Sequence, residues 1–178
     1  MVTFAVAGLL LSVERLFYII ASRHPESLNP LAAVLGSRGF TVDRVGVLRW
    51  SFYAFKVLQT AVFLGWCEAF RPGVTWVLPA PPVLAAAVSL IGIGQFLNLS
   101  VFYRLGTVGV FYGVHFGYAV PWTRAFPFSF AWLKHPQYVG TVLSIWGLFL
   151  AARYPHPDWW ALPLLESVYY GLGARLEK

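Results

Sequence analysis

The stretch KHPQYVG, residues 134–140, places groups capable of chemistry immediately before the apolar run TVLSIWGLFLAA. Four of its side chains are polar: Lys134, His135, Gln137 and Tyr138. Pro136 suits the first turn of a helix, where its missing N–H group costs nothing. Gly140 opens a series of small residues, at three- and four-residue spacing, that would pack against a neighbouring helix. A helix start with a basic flank therefore explains the proline and the glycine, but it does not explain why His135 and Tyr138 occur there.

Two carboxylates mark the end of the chain. Glu166 lies within the apolar run ALPLLESVYYGLG, and Glu177 follows eleven residues later. Since a helix turns by about 100° per residue, the two share one face with Tyr170 and Gly173. A carboxylate at bilayer depth is expensive, so Glu166 is a candidate functional residue. By position alone, Glu177 is better explained as a solvated terminal charge.

A third group of polar residues lies in the apolar segment 82–104. Gln95 and Asn98 are three residues apart and share a helix face, so inside a bilayer they need a protein or ligand partner. Gly92 and Gly94 precede them. These glycines favour either close helix packing or close approach to a ligand.

Residues 105–136 are rich in glycine and aromatic residues. Their glycines and aromatic rings are Gly106, Gly109, Gly113 and Gly117, with Phe111, Tyr112, Phe116, Tyr118 and Trp122. Such a loop could surround a cationic ligand, whose charge the ring faces attract, or it could form an aromatic belt at a membrane interface. His115 in this loop is a candidate proton acceptor.

The composition indicates which elements position these groups. Of the 178 residues, 58 % are hydrophobic and 11 % are charged, whereas soluble proteins carry roughly 25 % charge. The chain is therefore predicted to be membrane-embedded. The net charge is +6, but the basic residues are scattered, which excludes a nucleic-acid interface. Cys67 is the sole cysteine, so no internal disulfide is possible.

Hydrophobic length predicts an all-α, polytopic membrane bundle of four or five transmembrane helices in one domain, residues 1–178. The expected helices are 2–22, 49–69, 82–104, 137–153 and 158–176, of which the last two form a C-terminal hairpin. The first spans the bilayer or lies in its interface, because Glu14 and Arg15 fall within it. Residues 23–48 and 105–136 are expected to be loops.

With five spans, the basic residues divide unequally between the two sides of the membrane. Arg71 and Arg153 fall on one side, and the other side holds Arg23, Arg38, Arg44, Arg49, Arg104, Arg124, Lys134, Arg175 and Lys178. The positive-inside rule makes the richer side cytosolic. The glycine- and aromatic-rich loop, KHPQYVG and the C-terminus are then expected to meet at the cytosolic surface.

The ordered run GQFLNLSVFYRLGTVGVFYGVHFG…PW…FPFSF…HPQYVGTVLSIWG…LE resembles the membrane phospholipid N-methyltransferases. These enzymes methylate phosphatidylethanolamine and its derivatives toward phosphatidylcholine, and their superfamily includes isoprenylcysteine carboxyl methyltransferase. The resemblance extends from about residue 90 to the C-terminus. Residues 1–80 match only as hydrophobic spans, so they are assigned as accessory spans and 81–178 as the cofactor-binding core.

The resemblance implies an S-adenosylmethionine site in two parts. One is a glycine-x-glycine element, here Gly92 and Gly94, beside Gln95. The other is an R-H-P-x-Y-x-G motif followed by paired glutamates, matched by His135, Pro136, Tyr138, Gly140 and Glu177. Two positions depart from the pattern, because Lys134 replaces the arginine and Lys178 replaces the second glutamate.

For this reaction we expect Arg104, Arg124 or Lys134 to pair with the lipid phosphate, and Glu166 or His115 to accept the amine proton. No metal is expected, the oligomeric state is left open, and the endoplasmic reticulum is the favoured membrane. Two alternatives remain. One is methylation of a prenylated cysteine carboxylate, against which the FPF-containing loop argues, and the other is a non-catalytic small transporter or scaffold.

Overall fold

The computed structural model describes residues 2–39, 42–69, 78–120, 123–130 and 132–177, and its described part is α-helical without a β-strand. Arg71, Trp122 and Lys178, which entered the sequence argument, lie outside these ranges. The α-helices are α1 (Val2–Arg23), α2 (Asn29–Ser37), α3 (Arg44–Ala69), α4 (Pro81–Val110), α5 (Pro136–Ala152) and α6 (Ala161–Leu176). The five long helices expected from the sequence are therefore confirmed as helices.

The expectation of a loop over 23–48 is wrong. A 3-10 helix covers Pro25–Leu28, α2 follows it directly, and α3 begins at Arg44. Asp43 explains this last boundary, because its carboxylate accepts the backbone N–H of Gly46 at 2.8 Å. A side-chain acceptor at this position satisfies a donor that the first helical turn leaves unpaired.

The segment 105–136 also starts with more helix than expected. α4 continues to Val110 across a kink at Gly106, whose φ of 63° is accessible to glycine at little steric cost. A 3-10 helix, Gly113–Phe116, comes next. This 3-10 helix contacts both α4 and α3 and so stays packed against the helices.

Helices α4 and α5 pack against each other through small residues, which confirms the stripe predicted after Pro136. A Cβ atom added to Gly140 would lie 2.5 Å from the carbonyl oxygen of Gly94, and one added to Gly147 would lie 2.7 Å from that of Ala87. The two backbones can approach this closely only because both positions lack a side chain. Polar side chains on the facing sides of α4 and α5 are therefore brought close together.

Within the described residues, two helical segments are long and apolar enough to cross a membrane by length and composition, Val2–Arg23 and Pro81–Phe116. α5 is apolar but shorter. α3 is long enough but carries Arg49, Lys56 and Glu68, and it is not among these candidates. The chain is a helical protein with candidate membrane helices, and the number of spans remains a prediction.

Arg23 and Arg153, which are expected on opposite sides of the membrane, lie at different ends of the bundle. Arg23, at the end of α1, donates to the carbonyl of Leu176, at the end of α6, at 3.1 Å. Arg153, at the end of α5, donates to Asp158 at 2.8 Å and to the carbonyl of Cys67, near the end of α3, at 3.3 Å. This separation is the one that the topology hypothesis requires.

Candidate functional site

A cavity of about 640 Å³ lies within the bundle and draws its walls from α1, α3, α4, α5 and α6. The 3-10 helix after α4 also contributes to it, and so does the chain end that follows α6. A volume of this size is typical of small-molecule sites, which range over roughly 300–1,000 Å³. It is therefore the natural candidate for the site.

The start of α5 forms one part of the wall. Pro136 is the first residue of this helix and is buried, as its expected structural role requires. Lys134, His135, Pro136 and Tyr138 all line the cavity. The His135 and Tyr138 rings stack, with centroids 5.7 Å apart. His135 and Tyr138, which a helix start alone does not explain, therefore form part of the cavity wall.

Glu177 also lines this cavity, held between two phenols. The Tyr112 and Tyr138 hydroxyls both donate to Glu177 Oε2, and the two hydroxyl oxygens are 3.3 Å apart. The other carboxylate oxygen, Oε1, is buried without a hydrogen-bond partner. Glu177 is thus not the solvated terminal charge that its position in the chain suggests.

Tyr112 reaches Glu177 from an unusual backbone conformation. Its φ of 55° is left-handed, which is uncommon for a residue other than glycine. Such a conformation costs about 1–3 kcal/mol and persists only where the surroundings enforce it. His115, on the same short 3-10 segment, lines the cavity with its ring centroid 5.8 Å from that of Tyr112. The segment thus brings both a phenol and an imidazole to the wall.

The two amides of α4 face the cavity, as their shared helix face predicts. Gln95 Nε2 donates to Ser144 Oγ of α5 at 2.9 Å. Asn98 Oδ1 is buried without a hydrogen-bond partner. Since buried acceptors are normally satisfied, Asn98 Oδ1 and Glu177 Oε1 are two wall atoms that a ligand's donors would complete.

Other candidates lie away from the cavity. Gly94 and Gly140 pack against each other, while Gly92 has no atom within 4 Å of the position its Cβ would take. Glu166 is 1 % exposed and accepts a hydrogen bond from Gln59 Nε2 of α3 at 2.9 Å. Its partner is thus an amide of α3.

The two arginines expected at the lipid headgroup also lie outside the cavity wall. Arg124 is exposed in the segment between α4 and α5. Arg104 Nε donates to the carbonyl of Phe126 at 3.0 Å. Arg104 lines a smaller pocket of about 240 Å³ on the outer face of α4, together with Phe96, Leu99 and Tyr103. Of the three cations assigned to the headgroup, Lys134 is the one on the cavity wall.

A charged cluster on α1 and α3 completes the wall, and sequence reasoning gave it no site role. Arg15 Nη2 donates to Glu14 at 2.6 Å, and Lys56 Nζ lies 3.1 Å from Glu14, 3.0 Å from Gln59 Oε1 and 3.0 Å from Tyr170 Oη. The signal was present, because ionisable residues inside apolar helices are functional candidates by default.

No group of three or more histidine, cysteine, aspartate or glutamate side chains suited to a metal ion occurs among the described residues. The polar groups at this cavity are instead phenols, amides, carboxylates, two imidazoles and cations. Such an arrangement can hold an organic ligand by hydrogen bonds and charge, and it offers His115 as a base.

Comparison with known proteins adds to this geometry. A family model described as phospholipid methyltransferase matches residues 83–174. A phosphatidyl-N-methylethanolamine N-methyltransferase of Arabidopsis thaliana is 46 % identical over 56 residues, which are 32 % of this chain and 33 % of that protein. A protein of the same description from Saccharomyces cerevisiae is 40 % identical over 63 residues, 35 % of this chain and 30 % of that protein. The matches therefore span about a third of each relative, and no solved structure matches.

Proposed function

The chain belongs to the phospholipid methyltransferase family, and from that premise we propose that it methylates phospholipid headgroup amines. The methyl donor is S-adenosylmethionine, and the acceptor is phosphatidylethanolamine or its mono- or dimethyl derivative, which is converted toward phosphatidylcholine. One observation carries the proposal. A single cavity brings together the amides of α4, the start of α5 and Glu177, which are separate in the sequence.

The residues present fit this methyl donor. Asn98 Oδ1 and Glu177 Oε1 are buried acceptors without partners, and the ribose hydroxyls and amino groups of S-adenosylmethionine are donors. We assign its binding to Gln95, Asn98, His135, Tyr138 and Glu177. When bound, it supplies an electrophilic methyl group on a sulfonium sulfur.

The glycines support this site indirectly. The contact between Gly94 and Gly140 lets α4 and α5 approach closely enough for Gln95 to donate to Ser144. Pro136 fixes the start of α5 and so places His135 and Tyr138. Gly92 lies on the exposed face of α4, so we do not assign it a direct contact with the methyl donor.

The attacking amine must be neutral, so each transfer from a protonated amine needs a proton acceptor. His115 is on the cavity wall, whereas Glu166 lies outside it against Gln59. We therefore assign His115 as the acceptor, acting directly or through water. The walls hold amine and donor at attacking distance, which is the main contribution a protein makes to a displacement of this kind.

The same proposal includes the membrane arrangement. We infer four or five spans, a site that opens to the cytosol and residence in the endoplasmic reticulum. The exposed apolar side chains of the long helices support a lipid environment, among them Leu9, Val57, Phe96 and Leu99.

Product identification tests the proposal. Purified protein is given S-adenosylmethionine with a radiolabelled methyl group, together with either mono- and dimethylated phosphatidylethanolamine or a farnesylcysteine analogue. We expect label on the phospholipid amine. Label on the farnesylcysteine carboxylate would instead identify a carboxyl methyltransferase, and label on neither acceptor would support a non-catalytic membrane protein.

A further inference from the structure

The charged cluster of α1 and α3 lies outside residues 83–174, the part that the family model matches, yet it shares the cavity wall with the proposed cofactor residues. Charges placed in apolar helices are expensive to bury and require compensation by structure or function. The mechanism proposed above uses none of them.

Lys56 is held in one orientation by the groups around it. Its ammonium lies within 3.0–3.1 Å of Glu14, Gln59 and Tyr170, which come from α1, α3 and α6. Three partners on three helices restrict the rotamers of a side chain that is otherwise flexible. These contacts use the three N–H donors of the ammonium, so an anionic ligand would take the place of one acceptor while the other two keep the side chain oriented.

The Lys56 side chain is more exposed than that of its partner Glu14. The Lys56 side chain is 28 % exposed, whereas the Glu14 side chain behind it is 6 % exposed. The second cation, Arg15, stacks on Tyr170 with its guanidinium carbon 4.0 Å from the ring centroid, and its Nε has no hydrogen-bond partner. Arg15 is 8 % exposed and already paired with Glu14, so an anionic group in the cavity would meet the Lys56 ammonium in a low-dielectric wall.

We propose that Lys56, oriented by Glu14, Gln59 and Tyr170, binds the phosphodiester of the acceptor phospholipid inside the cavity. The proposal rests on the function proposed above. Among the described residues, the lysines and arginines that line the cavity are Arg15, Lys56 and Lys134. Lys134 is exposed at the start of α5, and Arg15 is paired with Glu14 at 2.6 Å and only 8 % exposed. Lys56 is therefore the cation that can hold the phosphate within the cavity, and the amine carried by that phosphate is then confined there too.

Ligand binding to the detergent-solubilised full chain tests the proposal without any need for methyl transfer. The two probes are dimyristoyl phosphatidyl-N-methylethanolamine and N-methyltetradecylamine, an amine that lacks phosphate. We expect Lys56→Met to weaken binding of the phospholipid about 10- to 100-fold, because it removes a charge-assisted hydrogen bond. Binding of the phosphate-free amine should be unchanged or stronger, since a repelling cation is gone.

Two further variants separate recognition from folding. Lys56→Arg keeps the charge and should retain the preference for the phospholipid. Arg49→Met removes an exposed cation from the same helix away from the cavity wall and should bind both probes as the wild type does.

Three results would overturn the proposal. They are equal losses for both probes in Lys56→Met, no preference for the phospholipid in the wild type, and loss of S-adenosylmethionine binding with unchanged lipid binding. The last would assign Lys56 to the cofactor's carboxylate. A wild type that binds the phospholipid selectively but transfers no methyl group would contradict only the proposed function.

Discussion

At the scale of single residues, the site depends on side chains whose partners are distant in the chain. The spacing of His135, Tyr138 and Glu177 and their likeness to a family motif made them candidates from the sequence. Their environment could not be predicted in the same way, because Tyr112 contacts Glu177 across 65 positions and from a left-handed backbone. No periodicity reports such a contact.

The proton acceptor gives a prediction at this scale. His115→Ala should lower the rate of methyl transfer about 100-fold, in the range observed when a general base is removed. Glu166→Gln should keep most of the activity, because Glu166 lies off the cavity wall and its amide replacement still offers an oxygen to Gln59. The measurement is the turnover number with saturating acceptor lipid.

His24→Ala is the matched control, since His24 is exposed, with a side chain 67 % accessible, and lies outside the cavity wall. The reverse pattern, with Glu166→Gln inactive and His115→Ala fully active, would contradict the assignment.

At the scale of helices, small-residue spacing predicted the packing of α4 on α5 correctly. The same spacing could not distinguish Gly94, which contacts Gly140, from Gly92, which faces outward. That difference depends on how α4 is rotated toward its neighbours, and a uniformly apolar helix gives little indication of its rotation. The helices within 23–48 are hard to predict for another reason, because prolines are common in loops but here stand in the first turns of the 3-10 helix and of α2.

A pair of alanine substitutions tests the helix contact. Gly94→Ala should destabilise the protein by about 1–3 kcal/mol, because its Cβ would overlap Gly140 and Ser144. Gly92→Ala meets open space and should be neutral or stabilising by about 0.5–1 kcal/mol, since alanine is the better helix former. Thermal unfolding in detergent measures both, and equal midpoints for the two variants would rule out the contact.

The junction of α3 with the segment after α4 carries a pH-dependent bond. Tyr118 Oη donates to Asp43 Oδ2 at 2.6 Å, and this hydrogen bond holds the pKa of the Asp43 carboxyl below its ordinary value of 3.8. Because the folded-state pKa is the lower one, the stabilisation is complete above the unfolded pKa and is lost as the pH falls through the folded pKa.

We therefore expect Tyr118→Phe to lose less thermal stability than the wild type when the pH is lowered from about 5 to about 3. Tyr103→Phe, which alters an 85 % exposed phenol, should follow the wild type. An identical acid dependence in Tyr118→Phe and wild type would show that the bond does not contribute.

At the scale of the whole molecule, composition and hydrophobic length predicted a helical protein with apolar surfaces, and Arg23 and Arg153 lie at different ends of the bundle, as expected. The role of α1 and α3 was not predictable. Glu14 and Lys56 are 42 positions apart, and their contact depends on how two helices without a family motif are placed. The 1–80 region was expected to be accessory, yet its charged residues form part of the cavity wall.

The central claim is that this cavity is the place of methyl transfer. The most direct test compares the wild type, Glu177→Gln and Glu68→Gln for transfer of a labelled methyl group from S-adenosylmethionine to dimethylated phosphatidylethanolamine. Glu68 is an exposed glutamate on α3, away from the cavity wall. We expect the wild type and Glu68→Gln to label the lipid. Glu177→Gln should remain folded but lose S-adenosylmethionine binding and transfer, and wild-type labelling by this variant would contradict the claim.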